Sequence, residues 1–184
     1  ARGDDRYLEG LRERRASEEG YEEAWDPLSQ VSSPTSLADY LLMQMRARLK
    51  PQELAAAEYL VESLDDHGLL STDLEELARL AGSSLKQMER LLTILQEQEP
   101  IGIGARSVKE CLLIQLRYLE EEGRGQPRVR EIIERHWERL GRGQFEEIAE
   151  TLGITSEEVE EALEFIRDNL NPYPAQAYHP SERS

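Results

Sequence analysis

Two stretches of this chain repeat each other at a constant offset of 71 residues, and that repeat limits the fold more than any single residue does. Leu74-Glu75-Glu76-Leu77-Ala78 matches Phe145-Glu146-Glu147-Ile148-Ala149, Gly82 matches Gly153, Ser84 with Gln87 matches Thr155 with Glu158, and Met88 matches Val159. Leu92, Ile94 and Leu95 then match Leu163, Phe165 and Ile166. Each copy predicts a short helix, a turn at glycine, a capping box and a longer amphipathic helix, which is the layout of a helix-turn-helix. The pattern specifies helix packing well and DNA contact poorly.

The rest of the chain also reads as helix, so the expected fold class is all-α. Ser36 with Asp39 offers a cap, after which Leu37, Leu41, Met45 and Leu49 fall along one face until Lys50-Pro51. Pro51 opens a second helix with the stripe Leu54, Ala57, Val61 and Leu64, expected to run to about Asp66 with Gly68 as its left-handed stop. Pro127 opens another, striped by Val129, Ile132, Ile133, His136, Trp137 and Leu140 and ended by Gly141; it joins the second repeat in a three-helix unit. Asn171-Pro172-Tyr173-Pro174 stops the last helix after Leu170, because a residue before proline is pushed out of helical angles.

Between the copies lies Glu99 to Leu119, which joins a rigid turn to the most apolar helix of the chain. Pro100, Gly102 and Gly104 supply one fixed backbone angle and two positions without Cβ, enough for a sharp reversal. Ser107 and Glu110 have capping-box spacing, so the helix is expected to begin at Val108. Val108, Cys111, Leu112, Gln115, Leu116 and Leu119 form a buried face that Leu113 and Ile114 widen, implying contact on more than one side.

The formal net charge of -16 repels phosphate backbones and anionic headgroups, so autonomous nucleic-acid binding is disfavoured. The long helix of the second copy would present Glu157, Glu158, Glu160, Glu161 and Glu164 to a groove, where a reading helix needs Lys, Arg, Asn or Gln. The first copy, with Lys86, Gln87 and Arg90 beside Glu89 and Glu97, is close to neutral. No apolar run approaches the roughly 18 residues of a membrane span and no charged-then-apolar leader opens the chain, so a cytoplasmic setting is expected.

Enzymatic chemistry finds no foothold. His67, His136 and His179 lack mutual metal-ligand spacing, and the lone Cys111 sits on an apolar helix face where a buried, inert thiol is expected. The carboxylates fall on helix exteriors at solvated-face spacing, and Gly102-Ile103-Gly104 follows a helix rather than the strand a phosphate loop requires. No catalytic residue, metal or cofactor is expected. The business of such a chain is binding protein.

The run Gln96, Pro100, Gly102, Ile103, Gly104, Ala105, Arg106, Glu110, Cys111, Leu112 and Gln115 resembles the signature of the core-binding domain of sigma-54, the activator-dependent bacterial sigma factor. The likeness continues through Leu64, Asp65, Gly68 and Leu70 upstream and Leu170, Asn171, Pro172 and Pro174 downstream, covering about residues 26 to 178. It departs from the usual pattern at Leu69, Gln98, Glu99, Tyr173 and Ala175. The resemblance implies the core of bacterial RNA polymerase as partner, met by the first subdomain at the flap of the beta subunit, and a holoenzyme as product. It implies that Pro100, Gly102, Gly104, Ala105, Arg106, Glu110, Cys111, Leu112 and Gln115 carry the motif, most of them as architecture. Arg106 is expected either to clasp a carboxylate such as Glu110 or to reach a partner.

The expected division is an acidic flexible leader over 1–35, an N-terminal helical core-binding subdomain over 36–122, a hinge at 123–126, a C-terminal three-helix subdomain over 127–170 and a linker tail over 171–184. Within the leader Tyr7, Leu8 and Leu11 could form an amphipathic turn, and Tyr21 with Trp25 could dock on the body. The Ala at position 1 reads as the start of an excised piece, and the activator-response and promoter-reading regions of the family are not in this stretch, so the chain is expected to bind core polymerase, as a monomer when free, and do little else. The rival reading is a stand-alone helix-turn-helix regulator, which would need a basic stripe on Lys86, Arg90, Arg46 and Arg48. A natural truncated paralogue that sequesters core polymerase is a third.

Overall fold

The computed structural model describes residues 36–179, so the readings on the leader and on Tyr7, Leu8, Leu11, Tyr21 and Trp25 lie outside the described residues. Among the described residues the fold is all-α: α1 Leu37–Met45, α2 Leu54–Glu62, α3 Leu74–Leu80, α4 Leu85–Gln96, α5 Val108–Glu121, α6 Pro127–Gly141, α7 Phe145–Leu152 and α8 Ser156–Asn169, with short 3-10 segments at Arg46–Arg48, Pro51–Glu53 and Pro174–Ala177. They form two compact units, one of residues 36–111 with 173–179 and one of Leu112–Pro172.

The first unit packs α1, α2, α3 and α4 together around Leu41, Met45, Leu60, Leu77, Met88 and Leu95, all at most 2% exposed. The second packs α6, α7 and α8 around Val129, Ile132, Ile148, Val159 and Ile166, all fully buried. Burying side chains of this size stabilises each core by about 1.5–3 kcal/mol apiece before chain entropy is set against it. The polar stretch 123–126 lies inside the second unit, where the division falls within α5 instead. The reason is a bidentate clasp: Arg130 of α6 donates to the Glu120 carboxylate of α5 at 2.8, 3.0 and 3.2 Å, closing the glycine-rich turn.

The repeat is carried into three dimensions. α3 and α7 begin at Leu74 and Phe145, α4 and α8 at Leu85 and Ser156, each pair 71 apart. Gly82 and Gly153 both take left-handed angles, φ +64° and +68°, which lets each short helix stop and reverse. Ser84 and Thr155 both cap their helices, at 3.1 Å from the amides of Gln87 and Glu158. The reciprocal half of the capping box forms only in the second copy, where Glu158 accepts from the Thr155 amide; Gln87 in the first bonds the Ser83 hydroxyl.

Elsewhere the element ends shift from the periodic reading. α2 stops at Glu62 rather than Asp66, because Asp65 folds its carboxylate over the amides of His67 and Leu69, both at 2.9 Å, and makes a loop instead. The left-handed residue after α6 is Gly143, φ +72°, and Gly141 remains in the helix. The tail is packed, not free: Asn171, Pro172, Tyr173 and Pro174 are all buried, and the Tyr178 ring stacks on Tyr40 at 5.1 Å.

Nothing lies within 4 Å of a Cβ placed at Gly82 or Gly153, so alanine there costs only the backbone strain. Gly82→Ala and Gly153→Ala should each lose about 1–2 kcal/mol. Gly68 has φ +89° and a Cβ there would meet Ile103 Cδ1 at 2.5 Å and the Ala175 amide nitrogen at 3.0 Å. Gly68→Ala should therefore lose roughly 3 kcal/mol or more, read as the shift in a urea unfolding midpoint.

Candidate functional site

The turn before α5 is held from three sides. Gln44 of α1 grips the backbone of Glu99, its amide nitrogen donating to the carbonyl at 2.7 Å while its oxygen accepts the amide proton at 3.0 Å. The Gly104 amide donates to the Gly68 carbonyl and the Leu70 amide to the Ala105 carbonyl, both at 2.8 Å. Gln96 of α4 donates to the Gly104 carbonyl at 3.0 Å and to the Glu110 carboxylate at 3.2 Å. These bonds pair backbone groups of Glu99, Gly104 and Ala105 within the fold, the condition for burying such groups.

Gly102, Gly104 and Ala105 are buried by that arrangement, and Gly102 and Gly104 take φ +95° and +78°. Ser107 caps α5 by accepting the Glu110 amide at 3.1 Å. The Glu110 carboxylate does not return to Ser107; it accepts the Arg106 amide at 3.0 Å, so the box is displaced by one residue. The Arg106 guanidinium is exposed and donates to the Thr72 carbonyl at 3.0 Å, tying the turn to the entrance of α3 rather than clasping Glu110.

Cys111 and Leu112 are fully buried on α5. Burial, with the Glu110 carboxylate beside it, pushes the Cys111 thiol up to about 12, so it stays protonated and unreactive. Gln115, 8% exposed, belongs to the second unit, where its amide donates to the Asn171 carbonyl at 2.8 Å and accepts the Asn171 amide proton at 2.6 Å. The motif residues therefore serve two places: Pro100 to Glu110 build the turn of the first unit, and Gln115 anchors the end of α8 in the second.

Periodicity gave no notice of Gln44, Thr72 or Asn171, whose roles come from contacts between residues 34 to 56 positions apart. Gly68, Gln96 and Asn171 did stand in the wider run of resemblance, and that was the one available signal.

Two of the four cations demanded by a DNA-binding reading are taken up within the first unit. Arg90 pairs with the buried Glu53 carboxylate and donates to the Arg48 carbonyl at 3.3 Å, and Arg48 pairs with Glu97. Glu157, Glu160, Glu161 and Glu164 stand exposed along α8. Among the described residues no group of His, Cys, Asp and Glu side chains is gathered to hold a metal ion, and no helix is long and apolar enough to cross a membrane.

His136 is a second buried titratable group whose surroundings shift its protonation. It lies at a non-helical kink in α6, φ -126° and ψ 22°, with Nδ1 unpaired. Burial first, then Arg139 and Arg135 against the opposing Glu131, lowers its proton affinity below the usual 6.5.

The sequence matches the family model described as "Sigma-54 factor, core binding domain" over residues 26–184. It is 36% identical over 163 residues to the RNA polymerase sigma-54 factor of Caulobacter vibrioides, covering 89% of this chain and 31% of that protein. It is also 37% identical to that of Rhizobium etli over 145 residues, 78% of this chain and 27% of the relative, and 33% identical to that of Bacillus subtilis over 147 residues, 79% and 33%. The chain spans about a third of the length of the curated relatives it matches.

Two outcomes follow from these contacts. Gln115→Ala removes two hydrogen bonds to the backbone of buried Asn171 and should cost about 2–3 kcal/mol, whereas Arg106→Ala, at an exposed carbonyl contact, should cost about 1 kcal/mol or less by the same urea titration. Because the folded state resists charging His136, the unfolded state binds the proton more readily and stability falls as pH drops through 6.5. The gap in thermal midpoint between His136→Leu and the unsubstituted chain should therefore move in favour of the variant between neutral pH and about pH 5.

Proposed function

The chain belongs to the family of sigma-54 factor core binding domains, and on that premise we propose that it binds the core of RNA polymerase and contributes the anchoring part of a transcription initiation factor. The observation that carries this reading is the family match itself, which runs through both compact units without a break. It is supported by what the units contain: packed helices and backbone clasps. The motif run works chiefly as architecture, holding a rigid turn so that the surfaces of the first unit are presented in fixed positions.

The finer parts of the reading are these. The first unit meets the flap region of the beta subunit. The free chain is a monomer and works in the cytoplasm, as a binding module and not an enzyme. Contact with promoter DNA falls to residues outside 26–184. The stand-alone DNA-binding regulator is not favoured, because Arg90 and Arg48 already neutralise Glu53 and Glu97 and because the exposed face of α8 is acidic.

The test is binding of the chain to purified bacterial core RNA polymerase beside duplex DNA at physiological salt. Saturable binding to core with no measurable affinity for duplex is expected. Salt-sensitive duplex binding without core binding would reverse the conclusion.

A further inference from the structure

The two copies of the repeat act as an internal control on each other, because equivalent positions meet the same folding demands. Buried positions agree: Leu77 with Ile148, Met88 with Val159, Leu95 with Ile166. Four positions beside the turn that are exposed in the first copy do not, although exposed Gly82 and Gly153 are the same in both. Leu80 and Leu85, 51% and 38% exposed, flank the turn of the first copy, where the second has Thr151 and Ser156. Arg79 and Lys86, both exposed, stand where the second has Glu150 and Glu157. The second copy shows that the turn needs neither leucine, so their exposure is a cost the fold does not impose.

Cation and leucine alternate here on a chain whose net charge is -16. Among the described residues the ion pair of Arg79 is a loose contact to exposed Glu76 at 3.9 Å, which leaves its charge available to a partner. A nucleic acid would gain nothing from two exposed leucines, whereas a protein segment would cover them.

We propose that Leu80 and Leu85, rimmed by Arg79 and Lys86, are a docking surface for an apolar segment of core RNA polymerase that carries carboxylates beside its apolar side chains. This rests on the core-binding function proposed above. Apolar burial supplies adhesion, while the two cations select an acidic rim and orient it. Thr151 and Ser156 with their flanking glutamates would repel the same segment, so the repeat presents one adhesive and one repellent copy.

The substitutions that test this are supplied by the protein itself. Leu80→Thr with Leu85→Ser, and separately Arg79→Glu with Lys86→Glu, convert the first turn to the residues of the second. Each double variant of the full chain is measured against purified core polymerase and against duplex DNA, with Glu150→Gln plus Glu157→Gln as the control at the second turn. At least tenfold weaker core binding by both first-turn variants, with unchanged thermal midpoints and a control within twofold of the parent, is the expected result. Should the leucine variant unfold, the charge variant decides alone, since its side chains are exposed. Core binding by the variants within twofold of the parent overturns the docking surface and leaves the core-binding function standing. No binding of the parent chain to core overturns both, and loss of duplex binding with core binding retained overturns the choice of a protein partner.

Discussion

At Gly68 three segments distant in sequence come within contact of one another: the loop after α2, the turn before α5 and the packed tail after α8. A side chain there would strike Ile103 from one and Ala175 from the other. The approach lets backbones satisfy each other directly, with the Gly104 amide on the Gly68 carbonyl and the Ala175 amide on the His67 carbonyl at 2.9 Å. Ile103 and Leu70 are then sealed without solvent, both fully buried. The remaining order of the first unit depends on this seal, since α1, α4 and the turn are joined through it by glutamine side chains that need fixed carbonyls to hold.

The electrostatics follow the same logic of local pairing within an acidic molecule. Glu53 is buried and accepts the Lys50 amide at 2.9 Å, and the Arg90 guanidinium supplies the charge that makes its burial tolerable. Near the end of α5, Arg130 holds the half-buried Glu120 carboxyl below the usual carboxylate range through its hydrogen bonds. Cations are scarce and most of the ones near packed elements are spent on structure. This gives meaning to those that are not, such as Lys86 and Arg79 at the first turn.

Much of the fold was legible in sequence because its main signal is periodic. The repeat located the two pairs of short and long helices, α3 with α4 and α7 with α8, and its paired glycines took the left-handed angles their positions demanded. Errors arose where a side chain bonds backbone out of register with the period. Asp65 shortens α2, Glu110 moves half of a capping box to Arg106, and the stretch from 171 reads as linker but is tied down by Gln115 and by the rings of Tyr40 and His67. The candidate site was legible as a run of residues and not as a geometry. Nothing in the spacing of Arg106 points to Thr72, because that bond depends on how two loops meet.

Gln44, Gln96 and Gln115 share a property that sets a limit on how this protein can drift. Gln44 and Gln115 act as surrogate peptide groups, donating and accepting on one backbone residue, and Gln96 donates twice, once to a carboxylate. Across most of an acidic helical surface an exchange of glutamine for glutamate passes almost unnoticed. At these three sites it would place a second acceptor against a carbonyl or against Glu110, so a glutamate here would loosen each unit from within. Sequence drift at these positions is thereby limited by what an amide can donate, and not by size or polarity.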